Sequence, residues 1–104
     1  MKELCDKRVV LLGFGLENRS LGKYLATHGI PFSVCDARLE SELPEKHKWN
    51  HIVDNWHFGT TYLDHLDNFD VAFRTPGINA QHPRLIDAQV KGVSIQSQTR
   101  FFFS

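Results

Sequence analysis

The residues with the clearest chemical potential stand near the start of the chain. Gly13-Phe14-Gly15-Leu16-Glu17-Asn18 follows directly on the run Arg8 to Leu12. Glycines at the first and third positions of such a turn have distinct uses. Gly13 permits the tight turn itself, and Gly15 lets the backbone come close to a phosphate. If a helix opens here, the N–H groups of its first turn and its dipole favour that anion. Asn18 stands where a third glycine is usual, and its side chain weakens close helix–strand packing without preventing it. Asp36 lies about 20 residues further on, at the end of the second apolar run, where a carboxylate typically accepts hydrogen bonds from a ribose or base. The plainer reading of Asp36 is a polar residue where a strand enters a loop. Thr75-Pro76-Gly77-Ile78 is a Pro-Gly turn. Its place after a parallel strand is where ligands enter open α/β sheets.

These groups need a scaffold that brings distant turns to one edge, and the hydrophobic pattern supplies it. Arg8 to Leu12 is a short run ended by Gly13, the signature of a strand buried on both faces. From Leu16 to His28 the period changes: Leu21, Tyr24, Leu25 and His28 form one helical stripe, and Gly29 supplies the stop. Pro31 to Cys35 predicts a second strand, with proline tolerated at its first position. Arg38 to Asn50 is polar, contains Pro44 and reads as loop with a helical turn. Ile52 to Phe58 reads as a weaker strand, Tyr62 to Leu66 as a short helix and Asp70 to Phe73 as a fourth strand. His82-Pro83 opens a helix to about Lys91, with proline at the first position and Gly92 after the end. Val93 to Ile95 is a fifth strand. Strands alternating with helices predict an α/β fold: a Rossmann-like three-layer domain, with a mostly parallel five-stranded sheet and helices on both faces.

The totals narrow the function classes. A chain of 104 residues holds one hydrophobic core. Lys plus Arg and Asp plus Glu both count 12, giving a formal net charge of zero. That balance argues against nucleic acid as a partner, because phosphate-tracking surfaces carry a basic excess. Cys5 and Cys35 fit neither a zinc spacing nor a disulfide scaffold, and Cys35 reads as a buried free thiol. The N-terminus lacks the apolar run of a signal peptide, and no stretch approaches the ~20 apolar residues of a membrane span. The chain is therefore read as cytoplasmic, with no membrane partner. Of its six histidines, His47 and His51 are four apart. Their segment is polar with no third ligand nearby, so they read as a solvated pair and no metal is assigned. Phe101, Phe102 and Phe103 pack either on this domain or on a following one.

Taken together, these motifs resemble the N-terminal domain of D-glutamate-adding members of the Mur ligase family. The resemblance rests on residues 9–16 (Val-Val-Leu-Leu-Gly-Phe-Gly-Leu), 35–38 (Cys-Asp-Ala-Arg) and 69–78 (Phe-Asp-Val-Ala-Phe-Arg-Thr-Pro-Gly-Ile). His82-Pro83, Gly92-Val93 and 97–102 continue it. It implies a domain that holds the uridine and diphosphate of UDP-N-acetylmuramoyl-L-alanine. The backbone at Gly13, Gly15, Leu16, Glu17 and Asn18 would face the diphosphate, and Asp36, Ala37 and Arg38 the uracil end. Thr75, Pro76 and Gly77 would line the same cleft.

The resemblance also implies what lies elsewhere. The family's ATP-binding loop, its magnesium ligands and its D-glutamate-binding domain all lie downstream of this region, and no Gly-x-x-x-x-Gly-Lys-Ser/Thr pattern occurs here. Residues 1–104 are thus expected to be one substrate-binding domain of a longer ligase. It would bind no cofactor itself, with ATP and Mg2+ held by the central domain, and its partners would be the substrate and the other domains of its chain. No catalytic residue is expected in it, and by itself it should be inactive. Two departures stand out. The family often has hydroxyl residues where this chain has Glu17 and Ala37. A carboxylate about 6 Å from a phosphate would be repelled by roughly 3 kcal/mol at an effective dielectric of 20, unless a cation such as Arg19 offsets it. Two other readings share the glycine loop and Asp36: a regulatory NAD-binding module of the potassium-uptake type, and a dehydrogenase cofactor domain. The Thr75 to Pro83 stretch counts against the first.

Overall fold

The structure, a computed structural model, describes residues 7–43, 46–75, 78–79 and 81–97, with the side chains of all of these except Leu16, Glu17 and Ser97. Cys5, Pro76, Gly77 and the Phe101–Phe103 tail lie outside the described residues. Five strands form one sheet: β1 (Val9–Leu12), β2 (Phe32–Asp36), β3 (Val53–Phe58), β4 (Val71–Arg74) and β5 (Ser94–Ser97). Their spatial order is β3-β2-β1-β4-β5, and every pairing is parallel. The sheet is therefore wholly parallel where the sequence pattern called for mostly parallel. Helix α1 (Leu16–Thr27) joins β1 to β2, and helix α2 (Pro83–Val90) leads into β5.

The two helices cover opposite faces. Residues of β1 alternate between them, as side chains on a strand must. Val9 and Leu11 join Leu21, Leu25, Phe32, Val34 and Phe73 on the α1 side. Val10 and Leu12 join Cys35, Ala72, Leu85 and Ala88 on the α2 side. This explains why β1 is apolar throughout and buried at all four positions: a central parallel strand has no solvent face. Cys35 is a free, buried thiol. Burial and the neighbouring Asp36 charge push it up to about 12, so it is inert as a nucleophile.

The stripe expected on α1 is only half present. Leu21 and Leu25 are fully buried, but Tyr24 is 37% exposed and His28 is exposed. Those two rings lie against each other instead, with centroids 4.3 Å apart and planes tilted by 36°. The buried row runs through Asn18, Leu21, Gly22 and Leu25, because α1 lies close to the sheet. A Cβ on Gly22 would stand 3.0 Å from Trp49 and 3.1 Å from Phe32.

A second difference concerns Tyr62 to Leu66. No α-helix forms there. The β3–β4 connection is a series of turns with a single 3-10 turn at Leu66–Asn68. It must cross from the sheet edge over β2 and β1 to reach β4, and it does so by burying Leu63 and Leu66, three residues apart, which is the 3-10 repeat. A cavity of about 540 Å³ lies against β2 and β3, lined by Lys7, Pro31, Ser33, Asp54, His57 and His65 among others. Among the described residues of the glycine loop, none lines it. The polar stretch after β2 contains two 3-10 turns, Glu40–Glu42 and Lys46–Trp49. At α2, Pro83 takes the first helical position, and the His82 ring accepts a hydrogen bond from the Arg84 N–H, 3.1 Å. No helix among the described residues is long and apolar enough to cross a membrane.

Candidate functional site

The parallel sheet brings three turns to one edge. Gly13 follows β1, Ala37 follows β2 and Thr75 follows β4, and β1 lies between the other two strands. The Gly13 N–H donates to the Cys35 carbonyl, 2.6 Å, and the Thr75 N–H to the Leu12 carbonyl, 3.2 Å. Gly13 has φ of +84°, a conformation costly for any residue with a Cβ. A Cβ there would also lie 3.1 Å from Thr75 Oγ1. Glycine at this position thus makes both the turn and the close approach of the β4 loop.

The peptide groups of Phe14 are held from both sides. Its N–H donates to Asp36 Oδ2, 2.8 Å. Its carbonyl accepts from Arg19 Nε, 3.2 Å, and from Arg38 Nη2, 3.1 Å. Its ring is buried, edge-on to Trp49 at 5.0 Å and to Trp56 at 5.7 Å. Asp36 is 4% exposed and accepts on both oxygens. Arg38 N and Nε reach Oδ1 at 2.8 and 3.0 Å, and Arg38 Nη2 reaches Oδ2 at 2.7 Å. Burial alone would raise the Asp36 carboxyl, but the hydrogen bonds from Arg38 and Phe14 outweigh it and hold it below the ordinary carboxylate range. The Asp36 carboxylate therefore faces the glycine loop and Arg38. A ribose hydroxyl could reach it only by displacing one of these donors.

Gly15 caps α1 with φ of −84° and ψ of −167° and makes no side-chain cap bond. A Cβ built on it meets no atom within 4 Å. The Cβ direction at Gly15 is thus open, and the N–H groups of a helix's first turn have no partner inside the helix. Leu16 and Glu17 form that first turn. The Glu17 side chain, and the repulsion expected of it, fall outside the described residues.

Asn18 does something the sequence pattern did not indicate. It is completely buried, and its amide nitrogen lies 3.1 Å from the Leu12 carbonyl, 2.6 Å from that of Gly13 and 3.2 Å from that of Phe73. Expected to weaken helix–strand packing, it instead fastens α1 to β1 and β4, because an amide supplies donors that a glycine lacks. Ala37 is exposed, and Arg38 is half-buried with its side chain 40% exposed. On β4, Arg74 Nη1 donates to the Ile78 carbonyl, 3.1 Å, and the Ile78 N–H to that of Thr75, 3.1 Å. Arg74 thereby ties the end of β4 to Ile78. No motif singled it out, since its role depends on a carbonyl four residues later. Among the described residues no group of three or more His, Cys, Asp or Glu is placed to hold a metal ion.

Comparison with known proteins agrees with this geometry. The family described as Mur ligase MurD-like, N-terminal domain, matches residues 7–97. The UDP-N-acetylmuramoylalanine–D-glutamate ligase of Clostridium tetani is 36% identical over 97% of this chain. Those of Ruminiclostridium cellulolyticum and Acetivibrio thermocellus are 31% and 33% identical over 97% and 98% of it. The chain spans 22% of the length of each of these relatives. With its sheet, its glycine loop and the match over nearly its whole described length, the chain belongs to the Mur ligase MurD-like N-terminal domain family.

Proposed function

We infer that this domain binds the uridine diphosphate part of UDP-N-acetylmuramoyl-L-alanine and positions it for ATP-dependent addition of D-glutamate by a longer ligase chain. The observation that carries this reading is the open approach at Gly15, in front of a helix N-terminus beside Arg19 and Arg38. A diphosphate there gains hydrogen bonds from main-chain N–H groups and a favourable helix dipole. Gly13 and Thr75 shape one wall, and Ala37 and Arg38 flank the uracil end. Pro76 and Gly77 complete the cleft in this reading. The contribution to catalysis is positioning: the substrate carboxylate is held where the rest of the ligase, which supplies the ATP and magnesium sites, activates it. The work is cytoplasmic.

Gly15→Val tests this with little disturbance of the fold, since the extended backbone at Gly15 suits a β-branched residue and a Cβ there meets no atom within 4 Å. Stability should change by less than about 1 kcal/mol. The UDP dissociation constant from calorimetry should rise about ten-fold or more, because the branched side chain fills the anion's approach. Unchanged UDP binding in Gly15→Val, or NAD bound more tightly than UDP by the unaltered chain, would sink the reading. The chain by itself should release no phosphate from ATP in the presence of D-glutamate, and a substrate-dependent release would contradict the division of labour proposed.

A further inference from the structure

The base end of the cleft contains an aromatic ring that no motif identified. Phe58 is the last residue of β3 and pairs directly with Asp36 of β2. The chain around it is tied to the same turn: the Gly59 N–H reaches the Asp36 carbonyl at 3.1 Å and the Arg38 carbonyl at 3.3 Å. Trp56 and Phe58 are two apart on a strand, so their side chains leave one face of the sheet. Their rings are stacked, with centroids 5.8 Å apart and planes within 10°. One face of Phe58 is thus taken by Trp56, and Phe58 is the residue of the pair nearer the C-terminal end of the strand. Trp56 is itself fixed, edge-on to Phe14 of the glycine loop. Phe58 is half-buried, so it keeps some accessible surface beside the Asp36 turn.

We propose that Phe58 is the stacking platform for the pyrimidine base, a specificity-determining residue of the uridine diphosphate cleft. The inference rests on the reading that this cleft takes a uridine diphosphate. A pyrimidine offers a flat π face, and aromatic side chains hold such bases by stacking. The diphosphate has no such face, so Phe58 discriminates between a nucleotide and a bare anion. Asp36 and Arg38, locked to each other and to Phe14, hold the backbone beside the ring at a set distance.

The experiment is a proton NMR titration of the chain with UDP and, separately, with inorganic pyrophosphate. In the unaltered chain the uracil H5 and H6 signals should move upfield on binding, under the ring current of Phe58. Phe58→Leu, which keeps apolar volume, should abolish most of that displacement and weaken UDP by about ten-fold, while pyrophosphate binds as before. Phe58→Trp should restore the upfield displacement. UDP binding whose uracil shifts are the same in Phe58→Leu overturns the platform and leaves the cleft intact. An equal loss for UDP and pyrophosphate overturns it too, since a distorted fold would do the same. Absence of any UDP binding by the unaltered chain removes both this proposal and the reading beneath it.

Discussion

Asp36→Ala is expected to lower the stability of the chain by about 3 kcal/mol, and the thermal midpoint by roughly 10–20 °C for a domain of this size. The carboxylate accepts four hydrogen bonds, one from Phe14 and three from Arg38. Removing it strands the Phe14 N–H at a buried site and leaves a guanidinium without its counter-charge. A fully buried pair broken in this way costs about 3–5 kcal/mol. The lower end applies here, because the Arg38 side chain is 40% exposed and can turn to water. Asp36→Asn keeps one acceptor oxygen and should cost less, about 1–2 kcal/mol.

The same network gives a pH signature. The folded-state Asp36 pKa is depressed, so its contribution is fully present above the ordinary carboxylate value of about 4 and is lost as pH falls through the folded value. The stability difference between the unaltered chain and Asp36→Ala should therefore be largest near neutral pH and shrink steadily below about pH 4. Asp70, lowered by its hydrogen bond from the Arg8 N–H, is unchanged in the variant and cancels from the comparison. Denaturant titrations of both chains from pH 7 to pH 2 measure the difference. Two curves that stay parallel throughout that range would show that the Asp36 carboxylate does not hold Phe14 and Arg38 together.

The second large effect runs against the motif. Asn18→Gly restores the third glycine of a dinucleotide-type loop, and by that pattern alone it should improve the fit of helix on strand. The structure demands the opposite. The variant should be destabilised by about 3–4 kcal/mol: two to three from lost hydrogen bonds at a fully buried position, and about one from glycine inside a helix. The Leu12 carbonyl keeps its bond from the Thr75 N–H, so that acceptor stays satisfied in the variant. Asn18→Ala avoids the helix penalty and should lose about 1 kcal/mol less than the glycine variant. Urea unfolding of the three chains decides the matter. A glycine variant as stable as the original would mean that the amide contributes packing volume alone.

Much of this protein was legible in its sequence because the relevant physics is local. A run such as Val9–Leu12 ended by glycine, and a proline opening the second helix before Gly92, report strand and helix through propensity and period alone. The Gly13 to Gly15 turn is likewise local, since backbone freedom belongs to the residue. What failed depends on partners far away in the chain. Tyr24 and His28 have the spacing of a core stripe, but the closeness of Gly22 to Trp49 and Phe32 rotates α1 so that they face outward. Tyr62 to Leu66 carries a helical pattern, yet the crossing over β2 and β1 imposes turns. Asn18 looked like a poor glycine until α1 was placed against the carbonyls of Gly13 and Phe73. Asp36 stood out in the sequence by its distance from the glycine loop and its place at the end of β2. That its carboxylate is spent on Phe14 and Arg38, and that Phe58 stands beside it, was decided only by the parallel register of β1, β2 and β3, because hydrogen bonds and stacking require atoms in contact and sequence spacing alone does not say which residues meet.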